Sequence, residues 1–144
     1  MRAFILSFLC CIFLIPAPLL AEDAVTLASL EKAGVQPLSK DEVTAIFSKA
    51  RLTAQSWEHT YILLPQQGCA LTGTAAHKFL PVLKRPVQGK GEWSVADDGT
   101  LRISMVWTTY EPTLETGKVY PLERFYYVIG PQSGTERQAF RIAK

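Results

Sequence analysis

The chain has 144 residues, of which 48% are hydrophobic, and a formal charge of +2. That length allows one domain with one core. The near-neutral charge excludes a chain that binds nucleic acid or an anionic membrane through its overall field.

Met1-Arg2 places positive charge before the apolar run Phe4 to Ile15. Pro16 and Pro18 interrupt that run, and Leu19-Leu20-Ala21 precedes the acidic pair Glu22-Asp23. A charged start, an apolar stretch and a small residue before a polar segment make a secretory signal peptide. Cleavage is expected after Ala21. A cut after Ala17 would leave Pro18 just past it, and a cut after Ala24 would put Glu22 at a subsite that takes small or apolar residues. The alternative is an uncleaved anchor, because the apolar span is near the lower limit for crossing a bilayer, about 17 residues. A lipoprotein anchor at Cys10 or Cys11 fits less well. Leu9 and Cys10 stand before them, where signals resembling the bacterial lipobox take a small residue. The chain thus divides into a signal peptide, residues 1–21, and a single domain, residues 22–144, that is periplasmic or secreted. Contact with a membrane is expected only through the signal peptide before cleavage.

Without Arg2 the formal charge of the remaining chain falls to +1. Lys84, Arg85 and Lys90 cluster, but Pro86 and Gly89 interrupt them, which suits a solvated edge better than a nucleic-acid site. Cys10 and Cys11 leave with the signal peptide. Cys69 is then the one cysteine of the mature domain, and no intramolecular disulfide can form. The core must carry the stability.

In chain order, Leu27 and Leu30 share a helical face ahead of Gly34, which suits a short capped helix or a mobile terminus. Ser39-Lys40-Asp41-Glu42 is a capping box: the Ser39 hydroxyl accepts from the Glu42 amide, and the Glu42 carboxylate reaches back. Val43, Ile46, Phe47 and Ala50 follow at helical spacing, so a helix is predicted over Lys40–Ala50 with its apolar stripe on a sheet. Trp57–Leu64 is rich in β-branched and aromatic residues and stops at Pro65, as a strand would. Cys69–Ala75 is small and interrupted by Gly73, which predicts a weak or bulged edge strand. Lys78–Lys84 holds Pro81 and is also expected at an edge.

The clearest pattern is Gly89–Thr109. Trp93 and Val95 alternate with Glu92 and Ser94; Asp97-Asp98-Gly99 supplies a turn; Leu101, Ile103, Met105 and Trp107 then fall on one face. This is a β-hairpin with one face in a core. Glu111–Gly117 is expected as a loop and Val119–Ile129 as one long strand, apolar on both faces from Phe125 onward. Such a strand lies centrally or is wrapped by the N-terminal helix. Phe140 and Ile142 face inward from a last strand. One firm helix and six or seven short strands with local connections predict a mainly β fold: an antiparallel meander forming a small barrel or half-barrel, with one N-terminal α-helix packed on it.

Candidates for chemistry are few. Cys69 with His59 or His77 is the one nucleophile–base pairing the residues offer, and it needs contact between thiol and imidazole. Its surroundings carry no catalytic signature, so a small, buried, inert cysteine is the expectation. The same residues are too scattered for a zinc site, and no metal or other cofactor is expected. Glu111, Glu115 and Glu123 are read as exposed loop carboxylates. Gly89-Lys90-Gly91 lacks the rest of a phosphate-binding loop.

Leu38–Leu52 (LSKDEVTAIFSKARL), Gly89-x-Gly91-x-Trp93-Ser94-Val95, Asp98-Gly99-Thr100-Leu101 and the aromatic strand at Tyr126-Tyr127-Val128 together resemble the DUF995 family. Those are small exported proteobacterial proteins of unknown function. The resemblance covers roughly Leu38 to Ile129 and implies a helix followed by an antiparallel β-meander of lipocalin-like character. Proteins of that family often carry one cysteine just after the Leu of the hairpin's second strand and another in the aromatic strand. Here Arg102 and Tyr126 stand at those places. The family supplies no catalytic residues.

By analogy with small barrels, the expected role is non-catalytic binding of a small apolar molecule or an envelope protein. Trp107, Tyr110 and Tyr126 are the expected ligand contacts, with an open groove near the two tyrosines. The alternatives are an envelope interaction or structural protein with no ligand pocket, and a hydrolase using Cys69 with a histidine.

Overall fold

A computed structural model describes residues 25–80, 85–130 and 139–144. The signal-peptide reading and the Pro81 part of the Lys78–Lys84 reading lie outside those residues. In chain order come helices α1 (Leu27–Lys32) and α2 (Lys40–Ile46), then strands β1 (Leu52–Gln55), β2 (His59–Pro65), β3 (Ala70–His77), β4 (Val87–Val95), β5 (Leu101–Trp107), β6 (Thr113–Leu122), β7 (Phe125–Ile129) and β8 (Phe140–Ala143). Each strand pairs antiparallel with the next, and β8 pairs back onto β1 through Ala54↔Ile142 and Gln55↔Arg141. The fold is therefore mainly β, an antiparallel meander closed into a small barrel with helix packed on it.

Closure changes several expectations. β3 is no edge: it pairs with β2 from Leu71 to His77 and with β4 from Ala70 to Ala75. Lys78–Leu80 form a bend and not a strand. α2 ends at Ile46, short of the expected Ala50, and Phe47 caps it. The long Val119–Ile129 run is broken by a turn in which Glu123 takes φ 50°, so it splits between β6 and β7. The expected loop over Glu111–Gly117 is in fact strand from Thr113 onward. β1 had no counterpart in the sequence reading.

Eight strands make a barrel just wide enough for side chains to fill its interior. Period-2 alternation sends Leu52, Ala54, Tyr61, Leu63, Leu71 and Ala75 inward from β1 to β3. Leu101, Ile103, Met105 and Trp107 follow from β5, as the hairpin pattern requires, and Val119, Val128, Phe140 and Ile142 complete the packing. Gly89 and Gly91 on β4 make room for the largest of these. A Cβ at Gly89 would collide with the Trp107 ring, and one at Gly91 with the Met105 side chain and the Ser104 carbonyl. Losing a buried aromatic of Trp107's size typically costs about 3–5 kcal/mol, so the two glycines and the indole act as one packing unit.

The meander puts alternate turns at opposite ends. α2 covers the end that holds the β2–β3, β4–β5 and β6–β7 turns. Val43, Ile46 and Phe47 enter the interior cluster, and the Phe47 ring stacks on Trp93 with centroids 4.6 Å apart. The Ser39–Glu42 capping box forms as predicted: the Ser39 amide donates to the Glu42 carboxylate at 2.8 Å. Leu38 hangs on the barrel through a 2.8 Å bond from its amide to the Val119 carbonyl. Gly99 turns the β4–β5 hairpin at φ 81°, and a Cβ there would meet the Leu38 carbonyl at 2.8 Å. Lys40 also pairs with Asp97 at 2.6 Å, on the surface.

α1 packs on the outside. Leu30, buried under it, meets outward-facing Tyr120, Tyr127, Ile129 and Ala139. This is why β7 is apolar on both faces: Tyr126 and Val128 serve the interior, and Tyr127 and Ile129 serve α1.

Candidate functional site

The end of the barrel opposite α2 holds the site. Here Tyr61 and Leu63 arrive from β2, Ile103, Met105 and Trp107 from β5, Thr113 and Glu115 from β6, and Phe140 from β8. They line a cleft, partly open to solvent, whose free space comes to about 230 Å³ with the open part included. Inside it the side chains leave room for about one water. That is smaller than the usual drug-sized pocket of roughly 300–1,000 Å³.

Three rings form the walls. The Tyr61 centroid is 5.6 Å from Trp107 and 5.8 Å from Phe140. The Trp107 indole Nε1 donates to Thr113 Oγ1 at 3.1 Å, which fixes the indole plane. The Tyr61 hydroxyl and the Ser56 hydroxyl lie 3.2 Å apart, and Ser56 Oγ also accepts the His59 amide at 3.2 Å. The β1–β2 turn therefore anchors the phenol. Burial pushes the Tyr61 phenol up, against the opposing pull of its Ser56 hydrogen bond.

Among the described residues, Glu115 is the one carboxylate on the cleft wall. It was expected in an exposed loop. The β5–β6 register, Met105↔Thr113 and Ile103↔Glu115, turns it inward instead and leaves its neighbour Leu114 56% exposed. Burial drives its carboxyl up to about 7. Among the described residues no side chain hydrogen-bonds or ion-pairs with it. Sequence reasoning missed it because the pattern is inverted: Thr113, Glu115 and Gly117 point in, and Leu114 points out. The available signal was parity, since Glu115 lies an even number of positions before the buried Val119.

At the rim, His59 and His77 are cross-strand partners with ring centroids 4.9 Å apart, and Tyr110 lies 4.9 Å from His59. Burial, aided by the neighbouring His77, lowers the His59 pKa. His77 Nδ1 accepts the backbone amides of Phe79 and Leu80 at 3.1 and 3.2 Å, so its proton resides on Nε2. Trp57, Phe79 and Leu80 stand outside on the adjoining loops, 51%, 58% and 48% exposed.

Of the expected ligand contacts, Trp107 lines the cleft, Tyr110 stands at its rim, and Tyr126 lies toward the β6–β7 turn, with the Lys144 ammonium 5.3 Å from its ring. Cys69 is exposed, not buried as expected. It sits in the β2–β3 turn at φ 65°, while His59 and His77 occupy the other ends of the same two strands. At about 3.3 Å per strand residue that separation is roughly 20 Å, far beyond hydrogen-bond reach. Arg102 points outward from β5 and Tyr126 inward from β7, with β6 between them. Glu111 and Glu123 are exposed at opposite ends of the barrel. Among the described residues no group of three or more His, Cys, Asp or Glu side chains is placed to hold a metal, and no helix is long and apolar enough to cross a membrane.

No family model, curated protein or solved structure matches this chain.

Proposed function

We propose that this protein is an exported binding domain, periplasmic or secreted, that holds a compact apolar molecule in the cleft opposite α2 without chemically changing it. The observation that carries this reading is the aromatic wall of Tyr61, Trp107 and Phe140 around a cleft partly open to solvent. Concave, ring-lined sites with a few polar groups are where small molecules bind. Because the interior holds about one water, a ring or short chain would lie across the open part of the cleft, against these side chains. The run of residues that resembles a signal peptide supports export, and the DUF995-like combination of helix and meander is in keeping with it.

Two indole N–H groups provide the test. That of Trp107 lies at the cleft, bonded to Thr113, and that of Trp93 lies at the α2 end. Titration with benzyl alcohol, followed by amide and indole NMR shifts, should move the Trp107 indole and leave the Trp93 indole in place. No shift at Trp107, or a larger one at Trp93, would overturn the reading. A second reading, docking of an envelope protein, rests on the exposed trio Trp57, Phe79 and Leu80.

A further inference from the structure

The cleft contains a group that an apolar ligand alone does not explain. A site evolved only to hold hydrocarbon has no use for a carboxylate, which costs free energy to bury. Yet β6 turns Glu115 inward and exposes Leu114, against the patterning that the rest of the barrel follows. Local departures of this kind concentrate at functional positions. Among the described residues the lining of the cleft carries no compensating charge. Of these residues, β2 contributes Tyr61 and Leu63, β5 contributes Ile103, Met105 and Trp107, β6 itself contributes Thr113, and β8 contributes Phe140. Farther out at the rim stand Glu58, Tyr110, His59 and Lys78; the Lys78 ammonium donates to the Ser56 carbonyl at 2.6 Å, and burial alone raises the Glu115 carboxyl. Aromatic rings in the wall can attract a cation through their faces and disfavour an anion.

Resting on the proposed ligand site, we propose that the cleft is selective for a small organic ammonium ion, its charged head on the Glu115 carboxylate and its apolar body against Tyr61, Trp107 and Phe140. Such a ligand supplies what the site lacks. Its ammonium group offers donors to an acceptor that none of the described side chains partners, and its charge offsets the cost of ionising a half-buried acid. A neutral isostere gains only the ring contacts. A carboxylate ligand meets both the quadrupoles and Glu115 with the wrong sign. Because Glu115 binds a proton near neutrality, ammonium binding competes with that proton and strengthens as pH rises.

The test compares benzylammonium, benzyl alcohol and benzoate by calorimetry at pH 8 and pH 5.5, on the protein and on its Glu115→Gln variant. At pH 8 benzylammonium should bind at least tenfold tighter than benzyl alcohol, with benzoate weakest. At pH 5.5 the preference should shrink severalfold. In Glu115→Gln the preference should vanish at both pH values while benzyl alcohol still binds. Equal binding of alcohol and ammonium to the unaltered protein would overturn the ammonium proposal and leave the apolar site standing. Retention of the preference in Glu115→Gln would overturn the role of Glu115. Failure of all three to bind would overturn both the proposal and the site it rests on.

Discussion

At the scale of single residues, Glu115 shows how a neighbour's identity is outweighed by register. A loop carboxylate would be solvated and would titrate in the ordinary range. Facing inward from β6, it holds its proton up to about 7, whereas the ordinary value is 4.5. A carboxyl with a raised folded pKa keeps a proton that the unfolded chain has already lost. The folded state then binds more protons than the unfolded state, so stability falls as pH rises between those two values and is level outside them. Replacing Glu115 by Gln removes the penalty. We expect Glu115→Gln to be about 1–3 kcal/mol more stable than the parent at pH 8, the lower figure allowing for its partial exposure, and equal to it near pH 4. Urea unfolding of both proteins at the two pH values measures this. A gain that is the same at pH 4 and pH 8 would show that the effect is packing and not ionisation.

At the scale of elements, α2 plugs the barrel, and its position depends on both ends of its short length. The capping box at Ser39 and Glu42 holds the start, and the Phe47–Trp93 stack holds the finish. A helix of 7 residues has little stability of its own. Ser39→Ala removes the hydroxyl that the Glu42 amide donates to and should cost about 1 kcal/mol. The loss should come with faster amide exchange at Val43, whose donor bond goes to the Ser39 carbonyl, while β5 amides stay protected. Uniform loss of protection across helix and barrel would mean that the plug and the barrel open together. What was legible in the sequence follows the same division. The capping box and the β4–β5 hairpin could be read because each is a local signal: side chain to amide over three residues, and strict alternation over seven. β1 could not. LTAQ is short, and pairing on both sides makes it a strand: all four residues with β2, and Ala54 and Gln55 with β8 from the far end of the chain. The start of β6 was hidden for the opposite reason, since its polar side faces in.

At the scale of the whole molecule, closure is the property that turns a meander into a site. The hairpin's inward face, the apolar doubling of β7 and the final inward pair Phe140 and Ile142 were all visible as patterns, and together they suggested a barrel or half-barrel. They did not decide between the two, because closure depends on β8 meeting β1, a contact between chain ends that no local period encodes. The β2–β3 hairpin by itself keeps Cys69 and the two histidines at opposite ends, and closure brought β2, β5, β6 and β8 around one cleft. An open half-barrel, or a β6 slipped by one residue, would instead leave Glu115 in water and send Leu114 inward. The titration of the Glu115 carboxyl carbon, followed by NMR, therefore tests the closed barrel, the register and the site together. The structure predicts a midpoint of about 7. A midpoint at the ordinary 4.5 would contradict it.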